Sequence, residues 1–204
     1  MANFSLRYYK QFVVIPIVGI ATLATSFVSH FVHNHWGIAL SAFALAGGLF
    51  AVIDLWLWCV WPIKYLYQMK DFRGHYEGTL VFERRDERGE LIKGSMRHEK
   101  ILTQTGSGVA IRSKTFKEDG SLSSESLSNV ESIEIDKDGT FKLIFTYLNN
   151  GSVNNGFPPH YGTEVMIFSD KDEVKRLTGI YYTNRLPMQT RGEIDVVLKK
   201  PIKK

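Results

Sequence analysis

The stretch GHYEGTLVFERRDERGELIKG, from Gly74 to Gly94, decides how most of this chain folds. Its first half alternates in character at every second residue, which is typical of a strand with one buried face. The residues that share the inward face are Tyr76, Gly78, Leu80 and Phe82. The segment RDERGE that follows is short, charged and turn-like, so we predict a β-hairpin here.

The same texture continues to the end of the chain, as short runs rich in β-branched and aromatic residues separated by Gly, Asp and Asn. The links TGSG, KEDGSL and DKDG are short, so consecutive strands should be hairpin neighbours. We predict about eight strands, roughly Gly74–Arg84, Ile92–Thr105, Gly108–Lys117, Ser124–Asp136, Thr140–Asn149, Tyr161–Ser169, Arg176–Thr183 and Thr190–Lys199. No helix is predicted among them.

Alternation assigns inward faces on two further strands. These positions are Phe141, Leu143, Phe145 and Tyr147 on the fifth strand and Ile194, Val196 and Leu198 on the last. With nothing to cover two sheet edges, the strands favour closure into a compact antiparallel up-and-down β-barrel. A two-sheet sandwich is the alternative. The long link from Leu148 to Gly162 is either a lid over one barrel mouth or a mobile loop.

The first 70 residues have a different composition from residues 71–204, which we predict to be a separate β-barrel domain. They hold four basic side chains and one acidic one, Asp54, whereas the rest of the chain holds 21 basic and 20 acidic ones. A nearly neutral C-terminal domain argues against binding DNA or RNA polymers, because duplex binders normally present a basic face. A small anionic ligand stays compatible with this composition.

Two apolar runs fill the N-terminal region and predict a two-helix transmembrane hairpin over residues 1–70. Phe12–Val32 has no charged residue over 21 positions, and Ile38–Val60 is interrupted only by Asp54. Tyrosines and tryptophans crowd the outer ends of both runs. A cleavable signal peptide is the competing interpretation, but the first run is long and is followed at once by the second.

Basic residues before and after the hairpin, and none in its connecting turn, predict that the N-terminus and the barrel both face the cytoplasm. Asp54 is costly inside a span unless it finds a polar partner or water. Either it lies at a hydrated interface, or it associates across subunits together with the small residues Gly47 and Gly48. His30, His33 and His35 are explained by a wet turn beside the membrane, so no metal site is predicted.

Nothing in the sequence indicates an enzyme or a resident cofactor. The motifs of serine hydrolases, zinc proteases, P-loop proteins and dinucleotide-binding folds are absent from the sequence. Cys59 is the single cysteine, which excludes an intrachain disulfide and makes a cysteine-based zinc site implausible. His75, His98 and His160 are scattered along the chain and do not suggest convergent acid–base groups.

The closing hairpin carries the strongest binding signal. Tyrosine offers a face for base stacking, arginine offers forked donors to phosphate, and Asn and Thr read base edges or ribose. The residues gathered there are Tyr181, Tyr182, Thr183, Asn184, Arg185, Thr190 and Arg191, with Tyr76 and Arg112 as possible neighbours. Turn residues and core tyrosines of this kind also occur without any ligand.

The order of parts resembles the two-transmembrane β-barrel effectors of bacterial cyclic-oligonucleotide-based antiphage signalling systems. The residues that carry the resemblance are DFRGHYEGTL at Asp71–Leu80 and GIYYTNRLPMQTRGEI at Gly179–Ile194. The resemblance implies an effector in the bacterial inner membrane whose barrel binds a cyclic dinucleotide made by a nucleotidyltransferase. Binding would drive homo-oligomerisation and disrupt the lipid bilayer, which kills the infected cell.

If the resemblance holds, the ligand-contacting residues are Tyr76, Arg112, Tyr181, Tyr182, Thr183, Asn184, Arg185 and Arg191, and Gly47, Gly48 and Asp54 serve transmembrane association. It does not indicate which bases the ligand carries. The alternative function is a membrane-anchored small barrel that binds an apolar ligand or a protein partner.

Overall fold

The computed structural model describes residues 8–36, 42–86, 88–151, 158–170, 174–185 and 189–202. It divides into two compact units. The first comprises the chain up to Asp71 together with Gln104–Gly108, and the second comprises Phe72–Thr103 and the chain from Val109 onwards. The sequence placed its boundary after Lys70, but it gave no sign that Gln104–Gly108 groups with the N-terminal unit.

The first unit contains two helices that contact each other, α1 (Gln11–Trp36) and α2 (Ala42–Val52). A π-helical segment, Ile53–Leu57, continues α2, and a short 3-10 turn follows at Ile63–Leu66. No helix in the described residues combines the length and the apolar character that crossing a bilayer requires. The two predicted spans are therefore not confirmed.

A small aromatic cluster ties the segments before α1 and after α2 together. The Tyr67 hydroxyl donates to the Tyr9 hydroxyl at 2.7 Å, and the Lys10 backbone N–H donates to the Leu66 carbonyl at 2.8 Å. Trp58 packs against Tyr67 at a ring-centroid distance of 6.4 Å. These contacts form a small hydrophobic core within the helical unit, with Tyr9, Trp58 and Tyr67 buried in it.

The second unit is a closed antiparallel barrel of eight strands in sequence order. The strands are β1 (Gly74–Arg85), β2 (Leu91–Gln104), β3 (Val109–Phe116), β4 (Leu122–Ile135), β5 (Phe141–Asn149), β6 (His160–Ser169), β7 (Arg176–Thr183) and β8 (Thr190–Lys200). Pairing of β1 with β8 closes the sheet, with Gly78 opposite Val196. The predicted up-and-down barrel is confirmed, and the sandwich alternative is wrong because no sheet edge is left open.

Apolar side chains fill one half of the barrel interior. Phe72, fully buried, packs edge to face against Phe141 and Phe168 at centroid distances of 5.7 Å and 4.8 Å. The other buried apolar residues of this half include Tyr76, Leu102, Leu143, Leu177 and Val196. Most of the predicted inward positions are buried here, since strand alternation and burial agree along β1, β5 and β8.

Candidate functional site

The other half of the barrel interior encloses a cavity of about 270 Å³. Every strand contributes to its wall at alternate positions, which is how a small barrel presents inward side chains. The lining residues include Leu80, Phe82, Arg84, Met96, His98, Thr115, Lys117, Ser124, Ser126, Tyr147, Asn149, His160, Glu164, Tyr181, Thr183, Arg185 and Thr190. The cavity thus joins apolar, hydroxyl, acidic and basic groups in one enclosed space.

Two glycines make room for the aromatic rings in this wall. A Cβ atom on Gly162 would lie 2.3 Å from the Tyr147 hydroxyl oxygen, and one on Gly94 would lie 2.7 Å from the Phe82 ring. Any larger residue at either position would push a ring out of its place. The positions of the Tyr147 and Phe82 rings therefore depend on glycine across the strand ladder.

A buried ion pair lies beneath the cavity. Lys100 Nζ is 2.6 Å from Glu164 Oε2 and 2.9 Å from Ser113 Oγ, and both charged side chains are nearly inaccessible to solvent. Burial lowers the pKa of Lys100, and the Glu164 carboxylate opposes that effect. Because Glu164 also lines the cavity, it brings a negative charge to the inner end of the site.

His98 adds a second polar group to the same region. Its Nδ1 lies 2.9 Å from the Thr115 hydroxyl, while its Nε2 is buried and has no hydrogen-bond partner among the described residues. Burial, and then the nearby charge of Lys100, lower the pKa of His98, so the imidazole is neutral at neutral pH. A neutral imidazole leaves Nε2 able to bond to a ligand.

The two cavity tyrosines are protonated and can donate hydrogen bonds. Burial raises the pKa of both Tyr147 and Tyr181, and the charge of Glu164 raises it further. Both tyrosines belong to the cavity lining, as do Ser126 and Thr183. This wall therefore offers aromatic faces and hydroxyl donors side by side.

The outer part of the lining is basic. Arg84, Lys117 and Arg185 supply three formal positive charges, against the single carboxylate of Glu164, which Lys100 already neutralises. Burial and the charge of Arg84 lower the pKa of Arg185, and both residues line this cavity. Converging cations in a partly enclosed site favour an anionic ligand.

Four of the residues gathered in the closing hairpin meet in this cavity: the predicted ligand contacts Tyr181, Thr183 and Arg185, together with Thr190. Asn184 is adjacent, but its side-chain oxygen accepts a hydrogen bond from the Tyr161 backbone N–H at 3.0 Å and so fastens β7 to β6. Thr183 also has a structural role, because its hydroxyl accepts a hydrogen bond from the Thr190 backbone N–H at 3.1 Å.

The structure places the other predicted contacts outside the cavity lining. Tyr76 lies in the apolar half, where its hydroxyl donates to the Phe72 carbonyl at 2.8 Å. Tyr182 is 52% exposed on the outer face, and Arg191 forms an outer ion pair with Glu83. Arg112 also points outward, with its Nε 3.7 Å from Glu125. Alternation sends neighbouring residues to opposite faces, so one hairpin cannot deliver all of them to one site.

Sequence reasoning missed the polar inward residues of the other strands. These include Arg84, His98, Lys100, Ser113, Thr115, Lys117, Ser126 and Glu164. The sequence did contain a signal for these residues, in the alternation along the strands. His98 and Lys100 share a strand face with Leu102, and Glu164 shares one with Met166. Ionisable residues that alternate in step with core residues mark an interior polar site.

The residues predicted to associate in the membrane have different surroundings within the first unit. Asp54 is buried: its Oδ2 accepts from the Ser107 hydroxyl at 2.8 Å, and its backbone carbonyl accepts from the Gly106 N–H at 2.8 Å. Gly47 and Gly48 lie on α2 with nothing within 4 Å of an added Cβ atom. Asp54 thus has a polar partner within its own chain.

One group of side chains has the composition of a metal site, on the outer face of β1 and β2. Ligand atoms of His75, Glu77 and Glu99 all lie within 4.8 Å of one another. The Glu99 carboxylate also receives Arg97 Nη1 at 2.9 Å. A guanidinium beside this carboxylate competes with a cation, so the group is accounted for as a surface ion-pair network.

No protein-family model matches the chain, and no curated protein matches it significantly. The fold and the cavity describe the chain directly: a small closed β-barrel with a polar, basic-lined interior cavity, and a separate helical unit.

Proposed function

We propose that the barrel binds a small phosphate-bearing ligand with an aromatic ring, of the cyclic dinucleotide class, and that this binding controls the helical unit. The observation that carries the proposal is the basic mouth of a cavity whose wall contains two buried tyrosines. The cavity of about 270 Å³ is close to the lower end of the range for small-molecule sites, about 300–1,000 Å³. One base fits inside, and the phosphates lie at the mouth.

Charge supports the phosphate part of the ligand. Arg84, Arg185 and Lys117 line one cavity, and a guanidinium group bonds phosphate oxygens in a forked geometry. Arg84 and Arg185 carry like charges on the lining of one cavity, and a bound phosphate interacts favourably with both. Binding should therefore weaken as salt increases, since salt screens these interactions.

The aromatic wall supports the base. Tyr147, Tyr181 and Phe82 provide surfaces for stacking, and stacking of a base on an aromatic side chain contributes about 1–3 kcal/mol. Ser124, Ser126 and Thr183 place hydroxyls in the same wall, where they suit ribose or phosphate oxygens. A ligand that combines rings, sugars and phosphates uses every part of this lining.

The output we propose is membrane disruption by assembled N-terminal units, as the resemblance to antiphage effectors implies. The apolar composition of Phe12–Val32 and Ile38–Val60 supports it, as do the exposed large apolar side chains of α1: Phe12, Ile15, Leu23 and Phe27 are between 72% and 78% exposed. Such a surface requires lipid or protein to cover it. Ligand binding shifts the assembly equilibrium by its differential affinity for the assembled state.

The binding test uses the full chain in detergent micelles, titrated by calorimetry with cyclic di-GMP and cyclic di-AMP. Ligand at 100 times its Kd should raise the free energy of unfolding by about 2.7 kcal/mol. Arg185→Ala should weaken binding about 10-fold to 100-fold, because a hydrogen bond to a charged group is lost. Arg112→Ala is the matched control, since Arg112 lies on the outer face.

Equal loss of affinity in both arginine variants would contradict the cavity as the site. The output is tested separately, with the full chain in dye-loaded phospholipid vesicles. Leakage should follow ligand addition in the wild type and should need more ligand in Arg185→Ala. Ligand binding without leakage would overturn the membrane output and leave the binding proposal intact.

An apolar carboxylate, such as a fatty acid, is the second candidate ligand. The observation that favours it is the apolar side of the cavity, formed by Leu80, Phe82 and Met96. It would place its carboxylate at the arginines and its tail on these residues. Palmitate in the same calorimetric titration, with the wild type and Tyr181→Ala, distinguishes the two candidate ligands. A stacking ligand needs the Tyr181 ring, whereas an apolar tail needs only apolar volume.

A further inference from the structure

The inner end of the cavity carries a carboxylate paired with a lysine, whereas its mouth is basic. Glu164 lines the cavity and is only 3% exposed, and Lys100 Nζ contacts its Oε2. A carboxylate has about four lone-pair sites, so this contact leaves Glu164 with further capacity to accept hydrogen bonds. In its ion pair with Lys100 the carboxylate acts as a hydrogen-bond acceptor, and the inner end therefore favours a ligand that brings N–H or O–H donors.

The base edges differ in what they offer to such an acceptor. Guanine presents its N1–H and its N2 amino group side by side, which makes two adjacent donors. Adenine and cytosine each place a ring-nitrogen acceptor beside their amino group, and uracil places carbonyl oxygens on both sides of its N–H. An acceptor-only carboxylate pairs well with the guanine edge and meets a repelling lone pair on each of the others.

His98 offers a complementary group in the same cavity. Its Nε2 has no hydrogen-bond partner among the described residues, and the residue is 3% exposed and lines the cavity. When the Thr115 hydroxyl donates to Nδ1, the imidazole proton lies on Nε2, which then donates to a ligand oxygen. The carbonyl O6 of guanine is the acceptor next to N1–H.

The strand register separates Glu164 from the basic residues at the mouth, so that one ligand can contact both. Glu164 pairs with Tyr181 across β6 and β7, and Arg185 follows Tyr181 by four residues. At about 3.4 Å per residue the backbone of Arg185 lies at most about 14 Å from the pair. The arginine side chain reaches back across part of that distance, which suits a base at one end and a phosphate at the other.

We propose that the ligand carries a guanine base, which donates from N1–H and N2 to Glu164 while its phosphate binds Arg84 and Arg185. This inference rests on the proposed function and adds the identity of the base. It also gives Glu164 the role of a specificity-determining residue, with Lys100 as the positioning residue that holds its carboxylate.

The test compares three ligands that share one phosphodiester ring and differ at the base edge, titrated into the wild-type full chain. Cyclic di-GMP should bind about 10-fold to 100-fold tighter than cyclic di-IMP, which lacks the N2 amino group, because one hydrogen bond to a charged acceptor is lost. Cyclic di-AMP should bind more weakly than both. Equal or tighter binding of cyclic di-AMP would overturn the guanine assignment while the proposed function stands, and binding of none of the three would overturn both.

Glu164→Gln tests the residue itself, and Glu83→Gln is its matched control on the outer face. The first variant should lose most of the preference for cyclic di-GMP over cyclic di-AMP, and the control should keep it. Thermal melting checks folding, and the double variant Lys100→Met with Glu164→Gln removes the unpaired lysine if Glu164→Gln alone unfolds. A preference that persists in a folded Glu164 variant would overturn the assignment.

Discussion

The two halves of the barrel interior are built on the same eight strands, yet they are filled in opposite ways. Around Phe72 the inward side chains are apolar and interlock, whereas around Tyr181 they are polar and leave a cavity of about 270 Å³. Close packing gives a small domain most of its stability, so we expect the packed half to supply most of the stability of the barrel, whereas the open half is where we propose that the ligand binds. A small barrel with a cavity in one half of its interior depends on close packing in the other half for its stability.

The largest expected effect comes from truncating the same residue type in each half. Phe72→Ala should lower the free energy of unfolding by about 4 kcal/mol, because a fully buried ring leaves an unfilled space. Phe82→Ala should cost about 1–2 kcal/mol, since Phe82 is partly exposed at the cavity. Urea unfolding of the full chain measures both. Equal losses would mean that the two halves share the stabilising role.

The second largest effect is expected at the ion pair of Lys100 and Glu164, which lies between the packed half of the interior and the cavity. Lys100→Met should lower the free energy of unfolding by about 3 kcal/mol, because it leaves the buried Glu164 carboxylate without its partner. The double variant Lys100→Met with Glu164→Leu should recover most of the loss, since two apolar residues replace the pair. Thermal unfolding of the three proteins gives the coupling between the two positions. A double variant no more stable than the single one would show that the pair is essential to the packing.

The pH dependence of stability tests the polar half of the interior, through the titration of His98. His98 faces Lys100 and Thr115 there. Its pKa in the folded state lies well below the ordinary 6.5, so above pH 6.5 both states are neutral and its contribution is complete. Below pH 6.5 the unfolded chain takes up a proton that the folded one does not, and stability falls as the pH falls.

Between pH 7 and pH 5.5 this effect of His98 should amount to about 1 kcal/mol. Chemical unfolding at both pH values measures it. The same comparison in His98→Gln should show a difference smaller by that amount, because the imidazole is gone. An unchanged pH dependence in His98→Gln would mean that His98 titrates normally in the folded barrel.

The smallest effect concerns the outer wall. Tyr182→Ala should change the free energy of unfolding by no more than about 0.5 kcal/mol and leave ligand affinity unchanged, because Tyr182 is 52% exposed on the outer face. Tyr181→Ala, one residue away, removes a buried ring from the cavity wall and should weaken ligand binding. Calorimetric titration of both variants tests the assignment of faces. Loss of affinity in Tyr182→Ala would place the site outside the barrel.

Much of the fold was predictable because it depends on local patterns. Alternation along Phe141–Tyr147 and short Asp-Gly and Glu-Asp-Gly links specify strands and hairpins without reference to the rest of the chain. The site was less predictable. Tyr181, Thr183 and Arg185 were found because they cluster in one hairpin, but His98, Thr115 and Glu164 come from three other strands and meet only across the closed barrel.

The amino-acid sequence by itself determined the eight strands, their hairpin order and most of the inward positions of β1, β5 and β8, because period-two alternation is a property of neighbours along the chain. It also set the apolar character of the N-terminal region. Tertiary structure alone decided which inward positions share a layer, since closure fixes the register between distant strands. That register brings Lys100 to Glu164 and places Arg84 and Arg185 on the lining of one cavity, and so divides the interior into a packed half and a charged cavity.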